Sequence, residues 1–188
     1  VVIAHLGNGA SMCAVSGGRA LASTMGFSAL DGLPMGTRSG QLDPGVVLYM
    51  MQQEGMSADE IADMLYRKSG LIGLSGMSSD MRTLLAAETP EARKAIDYYV
   101  FRIRRELGAL SAALEGIDAL VFTGGVGENS APIRQMVCDG MRWIGIDMDH
   151  ARNADGGTVL STEFSRVRIL SSPTNEEMVI ARAAAAMM

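Results

Sequence analysis

Near the amino end, short apolar runs alternate with small polar turns; further along, apolar residues recur at helical spacing. Val1 to His5, Ala10 to Val15 and Arg19 to Met25 are apolar segments separated by Gly7-Asn8-Gly9 and Gly17-Gly18. This punctuation predicts a three-stranded antiparallel meander with tight turns, and Asn-Gly is a common type I′ hairpin turn. Gly26 to Asp43 follows with no regular period. A connection this long is usually functional or disordered, and this one is too apolar for disorder.

Helical patterns then dominate. Asp43-Pro44 reads as a cap with proline at the first helical position, leading into Val46 to Gln53. Ser57-Ala-Asp-Glu60 is a capping box that opens Ile61 to Lys68. Thr89-Pro90 starts the longest helix, with Ala92, Ile96, Tyr99, Ile103, Leu107, Leu110 and Leu114 along one face. Strands are expected over Ala119 to Phe122 and Val167 to Leu170, a helix over roughly Ile133 to Gly140, and a last, alanine-rich helix opening at Pro173. Meander strands followed by alternating helices and strands predict an α/β domain with a mixed sheet.

Chemistry is suggested by four glycine-rich polar segments. The most informative is Val121-Phe-Thr-Gly-Gly-Val-Gly-Glu-Asn129, where an apolar strand feeds a glycine turn and then a helical pattern near Ser130. Unpaired backbone N–H groups and a helix dipole in such a place can cradle a phosphate or a nucleotide sugar. His5 to Ser11, Gly36 to Gly40 and Gly73 to Arg82 are the other three, and together they point to a nucleotide site. Taken singly, each has an ordinary structural reading: a hairpin turn at Asn8-Gly9, a surface arginine at Arg38, a helix cap at Ser79 or Asp80. His5, at a strand end, serves equally well as a capped core residue or as a ligand. Gly125-x-Gly127 lacks the third glycine of a dinucleotide fingerprint, since Ser130 stands there. Glu176 and Glu177 fall in the first turn of the last helix, where they either complement its dipole or contact magnesium.

Composition narrows the field. The formal net charge is −5 across 188 residues, and no dense run of Lys or Arg offers a duplex nucleic-acid surface. Two cysteines, Cys13 and Cys138, cannot build a disulfide framework, which suits a reducing cytoplasm. No apolar run reaches the ~20 residues that span a bilayer. The chain opens with Val1-Val2-Ile3-Ala4 inside a predicted strand, so it is expected to be part of a longer protein.

Assembled, these residues closely resemble the C-terminal half of the acetate kinase family, within the acetate and sugar kinase, heat-shock and actin superfamily. The matching signatures are His5-Leu-Gly-Asn-Gly-Ala-Ser11, Thr24-Met-Gly-Phe27, Gly32-Leu-Pro-Met-Gly-Thr-Arg-Ser-Gly40, Phe122-Thr-Gly-Gly-Val-Gly-Glu-Asn-Ser130 and Pro173-Thr-Asn-Glu-Glu177. They run in family order over nearly the whole chain.

The resemblance implies an actin-like ATPase (ribonuclease H-like) fold, with residues 1–188 forming the C-terminal nucleotide-binding domain of a two-domain kinase. It implies transfer of a phosphoryl group between ATP and acetate, giving acetyl phosphate and ADP. Arg38 and His5 would be catalytic, Arg38 by stabilising charge on the phosphoryl group. His5, Leu6, Gly7, Asn8 and Gly9 would contact the nucleotide phosphates, and Asp80, Met81 and Arg82 would lie by the nucleoside. Gly125, Val126, Gly127, Glu128 and Asn129 would form the adenosine-side loop, and Glu176 would help hold Mg2+. A cytoplasmic homodimer is expected on the same ground. The family's acetate-binding and remaining catalytic residues precede the start of this chain, so the chain alone is expected not to turn over. A propionate kinase would share every motif. A catalytically silent nucleotide-binding module and a purely structural domain are the rivals from other classes.

Overall fold

The structure, a computed structural model, describes residues 1–187; the side chains of Glu176 and Val179 lie outside the described set. The meander is present as β1 (Val2–Leu6), β2 (Ala10–Ser16) and β3 (Arg19–Ser23), each antiparallel to the next. β4 (Ala119–Thr123) pairs in parallel with β1, and β5 (Arg168–Ser171) in parallel with β4. The result is one five-stranded mixed sheet in the order β3-β2-β1-β4-β5. Beyond β5, Val159 bridges Leu170 and Ile146 bridges Val167, so short irregular chain covers that edge.

Period-two burial decides which face is inside. Val2, Ala4 and Leu6 are fully buried, and their cross-strand partners Ala14, Met12 and Ala10 share their face. Leu120 and Phe122 of β4 and Ile169 of β5 continue the same surface. Across it lies the long helix α5 (Pro90–Ala113), in contact with β1, β2 and β3. Its Ala92, Ile96, Tyr99, Ile103, Leu107 and Leu110 are buried in the same core, as their helical spacing predicts. Each such large side chain contributes roughly 1.5–3 kcal/mol, so this stripe outweighs the caps, worth ~1 kcal/mol apiece.

The remaining helices are numbered around this frame. They are α1 (Pro44–Gln52), α2 (Ala58–Arg67), α3 (Gly70–Ser75), α4 (Met81–Ala86), α6 (Gly124–Asn129), α7 (Ala131–Asp139), α8 (His150–Ala154) and α9 (Glu176–Ala185). Asp43 caps α1 through the Gly45 N–H at 2.8 Å, and Ser57 with Glu60 forms the full capping box on α2. Asp80, not Ser79, caps α4 through the Arg82 N–H at 2.9 Å.

Three expectations are corrected. The Asn8-Gly9 turn is not type I′: it is a three-residue loop between Leu6 and Ala10, closed by the Gly7 N–H donating to the Gly9 carbonyl at 2.9 Å, and none of its residues has positive φ. The primed geometry falls instead at Gly17 and Gly18, with φ of 56° and 76°. The glycine stretch Gly124–Asn129 is a short helix rather than a loop, and α7 begins at Ala131. The last helix starts at Glu176 behind an Asn175 cap rather than at Pro173, with both glutamates still in its first turn. Helix α3 had no sequence signal.

Candidate functional site

Because β1, β4 and β5 are parallel, with His5 opposite Thr123 and Phe122 opposite Ser171, the segments that follow them leave the sheet at one edge. That is where ligands bind in α/β sheets of this kind. A cleft of about 700 Å3 opens there, lined by His5, Gly7, Asn8, Gly9, Ser11, Met25, Met35, Arg38, Gly124, Gly125, Glu128, Thr174, Asn175 and Glu177. A second cavity of about 560 Å3 shares Gly7, Asn8 and Gly125 with the first. Its other walls are Leu71, Met81, Leu85, Tyr99, Val126 and Pro132, with Ser79, Asp80, Arg82, Asn129 and Ser130. One elongated site therefore has a polar end and a largely apolar end, joined at three small residues.

Nearly all the residues singled out from sequence meet here. Leu6 and Gly127 do not line either cavity: Leu6 is a fully buried core residue and Gly127 is buried where α6 lies against β1 and β4. Met81 is only 3% exposed yet forms part of the apolar wall.

Arg38 is carried by a loop that is pinned rather than mobile. The Gly36 N–H donates to the Asn8 carbonyl at 3.0 Å, tying the loop to the β1–β2 turn. A Cβ at Gly36 would fall 2.2 Å from Asn8 Oδ1, so a larger residue would have to turn the Asn8 side chain aside. The N–H groups of Ser69, Leu71 and Ile72 donate to the carbonyls of Thr37, Met35 and Gly36 at 2.9–3.0 Å, which explains why α3 forms where it does. Among the described residues the Arg38 guanidinium makes no ion pair, and its hydrogen bond goes to Met35 Sδ at 3.5 Å. A partly buried guanidinium with only this weak acceptor is available to an anion.

On the opposite wall, Gly124 makes the turn from β4 into α6 at φ 79°; a Cβ there would come 2.8 Å from the Leu6 carbonyl and 3.1 Å from His5 Cε1. Its N–H is not free to cradle a phosphate, since it donates to Glu128 Oε1 at 2.8 Å. The same carboxylate oxygen accepts from the Thr174 N–H at 2.9 Å and the Thr174 hydroxyl at 3.0 Å. The Thr123 and Thr174 hydroxyls also hydrogen-bond each other. Glu128, expected beside adenosine, is thus a clasp between α6 and the segment after β5.

Two residues that sequence reasoning passed over hold the far end of α6. Arg134 on α7 is 2% exposed, and its Nη1 donates to the carbonyls of Gly127 and Glu128 at 2.9 and 2.8 Å. A cation there complements the carboxyl end of a helix. Asn153 accepts from Arg134 Nε at 2.7 Å and orients it. In sequence, an arginine within a helical pattern gives no sign of burial.

At the apolar end, Arg82 and Asp80 pair at 2.9 Å on the surface. The guanidinium holds the Asp80 carboxyl below its usual range, and the carboxylate raises Arg82 in turn. The Tyr99 hydroxyl is fully buried and, among the described residues, has no hydrogen-bond partner. Burial pushes its pKa upward, so it stays a neutral donor and acceptor. The side chain of Glu176, the expected magnesium contact, lies outside the described residues, while Glu177 lines the polar cleft. No group of three His, Cys, Asp or Glu side chains gathers into a metal cluster among the described residues.

Comparison with known proteins places this geometry. The model of the acetokinase family matches residues 1–182. Acetate kinase of Methylocella silvestris is 64% identical over 182 residues, covering 97% of this chain and 45% of that protein. The crystal structure of Porphyromonas gingivalis acetate kinase superposes with a TM-score of 0.94 at 41% identity, over 98% of this chain and 48% of that one. A propionate kinase structure from Francisella tularensis gives 0.91 at 38%, over 96% and 47%. The chain thus spans a little under half the length of these relatives. The sheet flanked by helices is that of acetate kinase structures, the actin-like ATPase fold.

Glu128 provides a pH test. Burial acts to raise its pKa, but hydrogen bonds from Thr174, Gly124 and Thr123 outweigh this and hold it below the ordinary 4.5. A depressed carboxyl pKa stabilises the fold above the unfolded value, and that stability is lost as pH falls through the folded one. Glu128→Gln is expected to melt below wild type at pH 7, the gap narrowing on acidification below pH 4.5. An equal gap across that range would show that the ionised carboxylate is not what holds the clasp.

Proposed function

The chain belongs to the acetokinase family, and we propose that it forms the C-terminal, nucleotide-binding half of an acetate kinase, transferring a phosphoryl group between ATP and acetate. The observation that carries this reading is the two-ended site. A polar cleft containing Arg38, which makes no ion pair among the described residues, adjoins an apolar cavity at Gly7, Asn8 and Gly125. A nucleoside diphosphate has the matching anatomy, with a charged tail and a flat, largely apolar base.

The roles follow from position. The base and ribose occupy the cavity of Met81, Leu85, Val126 and Pro132, with Asp80, Arg82 and Asn129 at its polar margin. The phosphates run past Gly7, Asn8 and Gly9 toward His5 and Arg38. Phosphoryl transfer asks mainly for positioning and neutralisation of charge on the equatorial oxygens, and Arg38 supplies a fixed cation for that purpose. The Glu177 carboxylate in the cleft, with Glu176 by family resemblance, suits magnesium carried in with the nucleotide, since that ion is commonly held by one or two carboxylates plus phosphate oxygens. Acetate and the remaining catalytic groups belong to the other half of the kinase, in a cytoplasmic homodimer. The similarity to a propionate kinase structure makes propionate the second acid to test, while the 64% identity to an acetate kinase favours acetate.

Calorimetric titration of this chain with ADP and magnesium is expected to show saturable binding; a well-folded chain that binds no ADP would remove the nucleotide half of the proposal. Gly125→Val sharpens it. A Cβ at Gly125 meets nothing within 4 Å, so the fold should tolerate the change while the side chain intrudes on the junction of the two cavities. The variant should keep its melting temperature and lose ADP affinity by about tenfold or more, the equivalent of ~1.4 kcal/mol. In the two-half enzyme, Arg38→Ala should lower kcat by roughly 10³-fold while changing the Kd for ADP little. An unchanged kcat would remove Arg38 from the transition state.

A further inference from the structure

The Arg38 loop has a neck, and the neck is fastened by a residue outside both cavities. The Gln41 N–H donates to the Gly32 carbonyl at 2.9 Å, closing residues 32–41 into a compact loop with touching ends. The two limbs meet closely: at Gly40, φ is 71° and a Cβ would lie 2.6 Å from the Leu33 carbonyl carbon. Inside the loop, Leu33 and Met35 are buried in the core. Arg102, from the middle of α5, is 4% exposed and grips this neck from below. Its Nη2 donates to the Gly32 carbonyl at 3.2 Å and to Gln41 Oε1 at 3.1 Å, and its Nη1 to the Gln41 carbonyl at 3.4 Å and to the Tyr98 hydroxyl at 3.0 Å. The nearest carboxylate, Glu106, stands at 3.9 Å, so the neck supplies most of what the buried charge is bonded to.

We propose that Arg102 is a positioning residue for phosphoryl transfer, which sets the placement of Arg38 by clamping both ends of its loop. This rests on the kinase reading above. A guanidinium suits the task because its planar fork reaches acceptors from both limbs at once, which an ammonium on a flexible stem does not reproduce. Loss of the clamp leaves the neck to the Gln41–Gly32 backbone hydrogen bond and the Arg105 contact with Gln41 Oε1, which loosens it, while the Gly36–Asn8 and α3 contacts still hold the loop near the cleft. The expected consequence is misplacement of Arg38 rather than loss of the nucleotide site. Displacements of about 1 Å far from the reacting atoms cost on the order of 10²-fold in rate.

The test uses the enzyme with both halves, assayed for acetyl phosphate formation, in four forms: wild type, Arg102→Met, Arg38→Ala and the double variant. Arg102→Met is expected to lower kcat by about a hundredfold while the Kd for ADP stays within about threefold of wild type. Added to Arg38→Ala, it should cost little more, because both changes remove the same interaction. A wild-type kcat in a folded Arg102→Met enzyme would overturn the proposal. So would a full hundredfold loss in the Arg38→Ala background, which marks Arg102 as a structural residue acting elsewhere. Arg102→Lys keeps the charge without the fork; should the methionine variant fail to fold, the lysine variant must show the same loss in kcat and the same non-additivity, or the proposal falls. Absence of wild-type turnover would overturn the kinase reading itself, so the two failures are distinct.

Discussion

The parallel alignment of β1, β4 and β5 is the constraint on which the site depends. Two of these strands are separated by most of the chain, yet the register that sets His5 opposite Thr123 delivers both glycine segments to one edge. Had β4 paired antiparallel, Gly124 and Gly125 would lie at the far end of the sheet from Asn8. What holds the register is burial on one face: Val2, Ala4, Leu120 and Phe122 are all fully buried, and a slip of one residue would turn that whole set outward. The hydrophobic core and the geometry of the cleft therefore have the same cause.

Two buried arginines extend that logic to the segments that are not strands. Arg134 gives three of its four hydrogen bonds to backbone carbonyls, two of them on α6, and Arg102 gives two of its four to backbone carbonyls at the neck of the Arg38 loop. A buried ion costs several kcal/mol in desolvation, and each charge-assisted hydrogen bond returns about 1.5–3 kcal/mol. Each arginine ties down one arrangement of a segment, a six-residue helix or a loop, that has little regular structure of its own to fix it.

This also explains what could and could not be read from the chain. The capping box at Ser57, the Asp43-Pro44 and Thr89-Pro90 helix starts and the apolar stripe of α5 are local signals, and all are found in place. The glycine segments marked the cleft because close backbone approach leaves a compositional trace. Their conformations were less legible. Asn8-Gly9 carries a primed-turn signature, but it forms a different turn, whose Asn8 carbonyl accepts from the distant Gly36 N–H. Helix α3, with glycine at Gly70 and Gly73, has poor intrinsic propensity and forms where its first N–H groups meet carbonyls of the Arg38 loop. The roles of Arg102, Arg134 and Glu128 depend on partners far away in sequence, and no pattern of spacing records such partners.

A last consequence concerns charge. A chain of net charge −5 must still receive a polyanion at this edge. Acidic groups line the cleft, and a free carboxylate beside phosphate would oppose binding. Glu128 escapes this conflict because its inner oxygen accepts hydrogen bonds from Gly124 and Thr174, which localise its charge against backbone donors. Arg38 has the converse design, a cation kept without a carboxylate partner among the described residues. Pairing it would stabilise the empty protein more and the anion less. Among the described residues, hydrogen-bond donors thus sit on the Glu128 carboxylate and Arg38 has no acid beside it, so the local field need not follow the net charge of the chain.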